Sequence, residues 1–100
     1  VSGWVKDGSW YYLDPATGVM ATGWVQVDGT WYLFSDSGAM LTGWQHAGSW
    51  YYLAPSGAML TGWQHIGVTW YYFAGDGHMV TGWQMIDGRW YYFASSGAWI

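Results

Sequence analysis

The chain has 100 residues, and eleven Trp, nine Tyr and three Phe make 23% of it aromatic, far more rings than the modest core of a domain this size requires. Two basic residues, Lys6 and Arg89, stand against six Asp, a net charge of −4, which argues against nucleic acid: stacking rings are present but the clustered Lys and Arg that phosphates demand are not. With no cysteine there is no disulfide framework, thiolate metal site or Cys nucleophile, and no apolar run approaches the roughly 18 residues a membrane-spanning helix needs.

In chain order the sequence is five tandem copies of one 19- or 20-residue unit, 3–22, 23–42, 43–61, 62–81 and 82–100. Each reads Gly-Trp, a turn, Trp-Tyr-(Tyr/Leu)-(Leu/Phe), a polar loop, then Gly and, in four copies, Met and Thr. Val1-Ser2-Gly3 already lies inside the pattern, so the expectation is one repeat module, 1–100, taken from a longer exported protein. Absence of cysteine fits secretion by a bacterium that does not rely on disulfides.

Gly or Pro interrupts every helical possibility, and the longest stretches free of both, 30–37 and 89–96, are eight residues rich in aromatics. Between the two Trp of each copy sits a turn: Asp7-Gly8, Asp28-Gly29, Ala47-Gly48, Gly67-Val68 and Asp87-Gly88. Asp-Gly favours type I′ and Gly-Xaa type II′, the turns that close hairpins, so each copy predicts one β-hairpin. Where the Trp are seven apart (Trp24/Trp31, Trp63/Trp70, Trp83/Trp90), a two-residue turn sets the first Trp opposite the residue two beyond the second. Where they are six apart (Trp4/Trp10, Trp44/Trp50), a three-residue loop such as Asp7-Gly8-Ser9 restores that register.

Opposed residues and i, i+2 neighbours share a face, so both Trp and the second Tyr of a copy lie on one side. Tyr11, Tyr32, Tyr51, Tyr71 and Tyr91 lie on the other with the Leu or Phe that ends each strand, and read as structural. A lone hairpin is marginal in water. Each copy must therefore bury its rings on the next, which predicts an all-β fold, a β-solenoid of stacked hairpins.

The pattern Gly-Trp, Trp-Tyr-Tyr-(Phe/Leu), Gly-x-Met-x-Thr resembles the choline-binding, or cell-wall-binding, repeat of Gram-positive surface proteins and phage lysins; similar repeats occur in glucan-binding regions. The resemblance implies a left-handed superhelix, with choline held between consecutive copies by two Trp of one and a Tyr of the next, and a Met close by. Carried onto this chain, that gives Trp24, Trp31 and Tyr52 for one site, Trp44, Trp50 and Tyr72 for another, and Trp63, Trp70 and Tyr92 for a third. Trp4 and Trp10 would form a weaker site because position 33 is Leu33, and Trp83 with Trp90 an incomplete one. Met40, Met59 and Met79 stand where the family lets them touch ligand.

Rings suit a quaternary ammonium because cation–π attraction serves a charge that cannot donate hydrogen bonds. At about 0.5–2 kcal/mol per ring, three rings give on the order of 3–5 kcal/mol and roughly millimolar affinity, which several sites on one polymer raise by effective concentration. The same rings could instead be plain solenoid filling, the reading of a spacer rod.

His46 and His65 face the second Trp of their copies and His78 sits in a loop with no visible partner; one His per rung makes a metal site improbable. The six Asp fall in turns and loops and there is no Glu, so no acid–base pair supports catalysis and no cofactor is expected. The expected partner is choline or phosphocholine on teichoic or lipoteichoic acid. The alternative is an α-glucan, with Gln26, Gln45, Gln64 and Gln84 as hydrogen-bonding groups, although the register turns the last three away from the Trp. Exposed apolar surface around Trp99 and Ile100 leaves room for weak self-association.

Overall fold

The computed structural model describes residues 3–100; Val1 and Ser2, which open the repeat pattern, lie outside the described residues. Ten five-residue strands run in chain order: β1 Gly3–Asp7, β2 Ser9–Leu13, β3 Gly23–Val27, β4 Thr30–Phe34, β5 Gly43–Ala47, β6 Ser49–Leu53, β7 Gly62–Ile66, β8 Thr69–Phe73, β9 Gly82–Ile86 and β10 Arg89–Phe93. They pair as five two-stranded sheets, β1-β2, β3-β4, β5-β6, β7-β8 and β9-β10, with no helix among the described residues. The fold is all-β and each repeat is one hairpin.

The turns set the register as the Trp spacing requires. Asp28 and Gly29 have φ of 51° and 83°, and Asp87 and Gly88 of 51° and 81°, the two left-handed residues of a type I′ turn. Trp24 then faces Leu33, Trp63 faces Tyr72, and Trp83 faces Tyr92. The shorter connection at Gly8 keeps the same pairing, with Trp4 opposite Tyr12.

The chain divides into two compact units, Val1–Gln45 with Leu53–Met59, and His46–Tyr52 with Leu60–Ile100. In the first, the backbone N–H of Met40 donates to the Trp10 carbonyl at 2.8 Å and that of Met59 to the Trp31 carbonyl at 2.9 Å. In the second, Met79 donates to Trp50 at 2.8 Å and Trp99 to Trp70 at 2.9 Å. The residue after each loop thus ties its copy to the second Trp strand of the copy before, satisfying carbonyls that a two-stranded ribbon leaves at its edge.

In each unit the most deeply buried residues are strand-end side chains. Phe34, Leu53, Phe73 and Phe93 are buried to 2% exposure or less, flanked by Leu33, Val80 and Ile86. In the second unit Val80, Ile86 and Phe93 form one cluster, with Trp63, Tyr72, Ala74 and Tyr91 packed on it.

The Met side chains need a glycine partner. Gly38, Gly57 and Gly97 have φ near +90°, and a Cβ on any of them would run into the side chain of Met20, Met40 or Met79 respectively. Only glycine meets both the backbone conformation and the close approach.

Candidate functional site

In the first unit, β1 and β2 present Trp4 and Trp10 edge to face, centroids 6.3 Å apart at 85°. Against Trp4 lie Tyr12 of the same hairpin at 5.1 Å and Tyr32 of the next at 4.9 Å, with Phe34 at 5.9 Å behind. Trp4, Trp10, Tyr32 and Met40 wall an open cleft of ≈ 300 Å³, closed at the rim by Pro55 and Ser56. That is at the small end of the range of roughly 300–1,000 Å³ typical of small-molecule sites.

The second unit repeats the arrangement. Trp63 and Trp70 cross at 6.4 Å and 80°, Tyr91 of the following hairpin lies 5.0 Å from Trp63, and Phe93 stands behind at 5.6 Å. The cleft of ≈ 400 Å³ is lined by Trp63, Trp70, Tyr91 and Trp99, the last in the slot that Met40 fills in the first unit.

Two sequence expectations are corrected by this geometry. The tyrosine that joins a Trp pair is the first of the following Tyr doublet, Tyr91, and not Tyr92; Tyr92 lies 5.1 Å from Trp83, across its own hairpin. Tyr72 likewise packs on Trp63, its cross-strand partner, at 5.3 Å. Leu33 is therefore no defect at the first junction: it is buried opposite Trp24, and Tyr32 supplies the third ring. The physical reason is the stacking operation. At both clefts the two copies pack front to back, so a Trp face meets the opposite face of the next copy, where the first Tyr and the strand-end Phe sit two residues apart. Assigning the second Tyr would require two Trp faces to meet each other.

Trp24 and Trp31 hold the same strand positions in β3 and β4, and Trp44 and Trp50 in β5 and β6; Trp31 and Trp50 are 39% and 44% exposed. Tyr52, named with Trp24 and Trp31, accepts the backbone N–H of Leu60 at 3.1 Å. Trp83 and Trp90, 67% and 61% exposed, form an uncovered pair with Met85 opposite Trp90. Met40 lines the first cleft, while Met59 and Met79 are fixed by backbone to the carbonyls of Trp31 and Trp50.

The position opposite the second Trp backs its indole. His46 lies 4.9 Å from Trp50, His65 4.8 Å from Trp70, and the Lys6 ammonium 5.7 Å from the centre of Trp10. His78, expected to stand alone, pairs instead with Asp76 through Nδ1 and Oδ1 at 2.5 Å. The His78 backbone N–H, and then its side chain, hold the Asp76 carboxyl below the usual carboxylate range. Among the described residues no three His, Cys, Asp or Glu side chains converge where they could hold a metal ion, and no helix is long and apolar enough to cross a membrane.

A sequence profile of the choline-binding repeat matches residues 21–61 and 60–100, and one of a cell wall binding repeat matches residues 2–20. Comparison with curated proteins gave no match. Among solved structures, choline binding protein F from Streptococcus pneumoniae, determined in the presence of a peptidoglycan analogue, is 51% identical over 100% of this chain and 34% of its own, with a TM-score of 0.96. The endolysin of phage Cp-1, complexed with choline, is 36% identical over 99% of this chain and 30% of its own, with a TM-score of 0.77. The modular autolysin LytC from Streptococcus pneumoniae is 32% identical over 99% of this chain and 24% of its own, with a TM-score of 0.75. The chain thus spans about a third or less of the length of each of these proteins. The repeat pattern, the hairpins and these matches together place the chain in the choline-binding repeat family.

Proposed function

We propose that this module holds choline in ring-walled clefts between consecutive hairpins, and through several such clefts anchors a secreted protein to choline-bearing teichoic or lipoteichoic acid of a bacterial cell wall. The observation that carries this reading is the cleft between Trp4, Trp10 and Tyr32, whose rings line a void open to solvent. Rings that served only as filler would close on one another; these leave room for a trimethylammonium head, which gains cation–π attraction on each wall and needs no acceptor. The endolysin solved with choline supports the choice of ligand.

The reading is non-catalytic. Asp14 accepts the backbone N–H groups of Ala16 and Thr17 at 2.8 and 3.2 Å, Asp76 that of His78 at 3.1 Å, and Asp28 and Asp87 sit at turn positions. These carboxylates serve local backbone geometry. A glucan is disfavoured because Gln45, Gln64 and Gln84 donate their side-chain amides to the carbonyls of Thr42, Thr61 and Thr81 at 2.8 to 2.9 Å, three residues back at the end of the copy before. The uncovered Trp83 and Trp90 face would take the back of a further hairpin, whether from the same chain or from a second copy.

Titration with choline, followed by Trp fluorescence and thermal unfolding, tests the reading. Saturable quenching and a higher unfolding midpoint at millimolar choline are expected; silence to choline with a response to dextran would overturn it.

A further inference from the structure

The two fully described clefts share two Trp and a Tyr but differ in the fourth wall. In the first it is the Met40 thioether, with Ser56 also in the lining; in the second it is the Trp99 indole, 5.8 Å from Trp63 and 6.1 Å from Tyr91. Trp99 is held there by its backbone, which donates to the Trp70 carbonyl at 2.9 Å just as Met40 donates to Trp10 at 2.8 Å. The indole therefore replaces a thioether in an unchanged frame. The backing residue differs too: a fixed cation, Lys6, lies over Trp10, where His65 lies over Trp70.

Resting on the choline reading above, we propose that Trp99 is a specificity-determining residue, which makes the Trp63, Trp70, Tyr91 and Trp99 cleft the tighter of the two and the more selective for fully methylated ammonium. A fourth ring adds cation–π attraction and removes polar contact. An ammonium that retains an N–H must give up a water there, and that lost hydrogen bond disfavours it. The first cleft has no fourth ring and includes the polar Ser56 in its lining, so it discriminates less against such an ammonium, while the Lys6 charge beside Trp10 opposes any cation.

The experiment is a site-resolved NMR titration of the Trp10 and Trp70 indole N–H signals in the 100-residue chain, with choline and, separately, N,N-dimethylethanolamine. Trp70 is expected to saturate at about fivefold lower choline than Trp10, one further ring contact's worth, and to discriminate more strongly against the dimethyl amine. In the W99M variant, which installs the side chain native to the equivalent slot, the Trp70 midpoint should rise to that of Trp10, while W99F should hold most of the difference. K6M should tighten the Trp10 site alone. Equal midpoints at Trp10 and Trp70, or an unmoved Trp70 midpoint in W99M, would overturn the role of Trp99 and leave the choline reading standing. Failure of both signals to respond to choline would overturn the two together.

Discussion

Trp63 and Tyr91 meet edge to face with ring centroids 5.0 Å apart at 71°, and Trp4 and Tyr32 repeat the relation at 4.9 Å and 72°. In both cases the tyrosine comes from the following hairpin and the ring beyond it is a Phe, Phe93 or Phe34. The front of one hairpin and the back of the next thus build each cleft jointly.

Tyr91→Ala and Tyr92→Ala should separate sharply. Tyr91→Ala is expected to weaken choline binding at the Trp70 signal about fivefold, the loss of one ring contact. Tyr92→Ala, which trims a ring packed on Trp83, should leave that midpoint in place. A stronger effect from Tyr92→Ala would return the assignment to the second tyrosine.

Gly57→Ala should damage the first cleft alone. The residue has φ of +90° and its added methyl would overlap the side chain of Met40, which lines that cleft. Strain of about 1–3 kcal/mol should lower the unfolding midpoint. Choline should shift the Trp10 signal less, with Trp70 unchanged, and adding Met40→Ala should restore the midpoint only in part because the backbone strain remains.

Gln64→Ala removes the amide that donates to Thr61 at 2.8 Å and should cost about 1 kcal/mol of stability without altering the choline midpoint at Trp70. Calorimetric unfolding beside a choline titration checks both halves. A loss of ligand affinity would put the amide in the site and revive the glucan reading.

Phe93→Ala empties the centre of the cluster formed with Val80 and Ile86, where Phe93 is 0% exposed. The expected cost is about 3–5 kcal/mol. Loss of the Trp70 choline response together with unfolding near ambient temperature, by circular dichroism, is the expected outcome.

Much of this protein follows from the sequence by itself. Interruption by Gly and Pro forbids helix, Asp-Gly turns select hairpins, and the Trp spacing fixes which residues oppose one another, because side chains alternate with period two and turn length sets register. Trp83 opposite Tyr92 and Met85 opposite Trp90 needed nothing further. Which tyrosine completes a cleft was decided only by tertiary structure. Tyr91 and Tyr92 are adjacent, both aromatic and on opposite faces of β10, so the choice depends on whether hairpins meet front to front or front to back. That is a relation between copies which no pattern inside one copy encodes. The repeat pattern puts Trp99 in the slot that Met fills in the other copies, but that its indole walls a cleft was decided only where its backbone reaches across to the Trp70 carbonyl of the preceding hairpin.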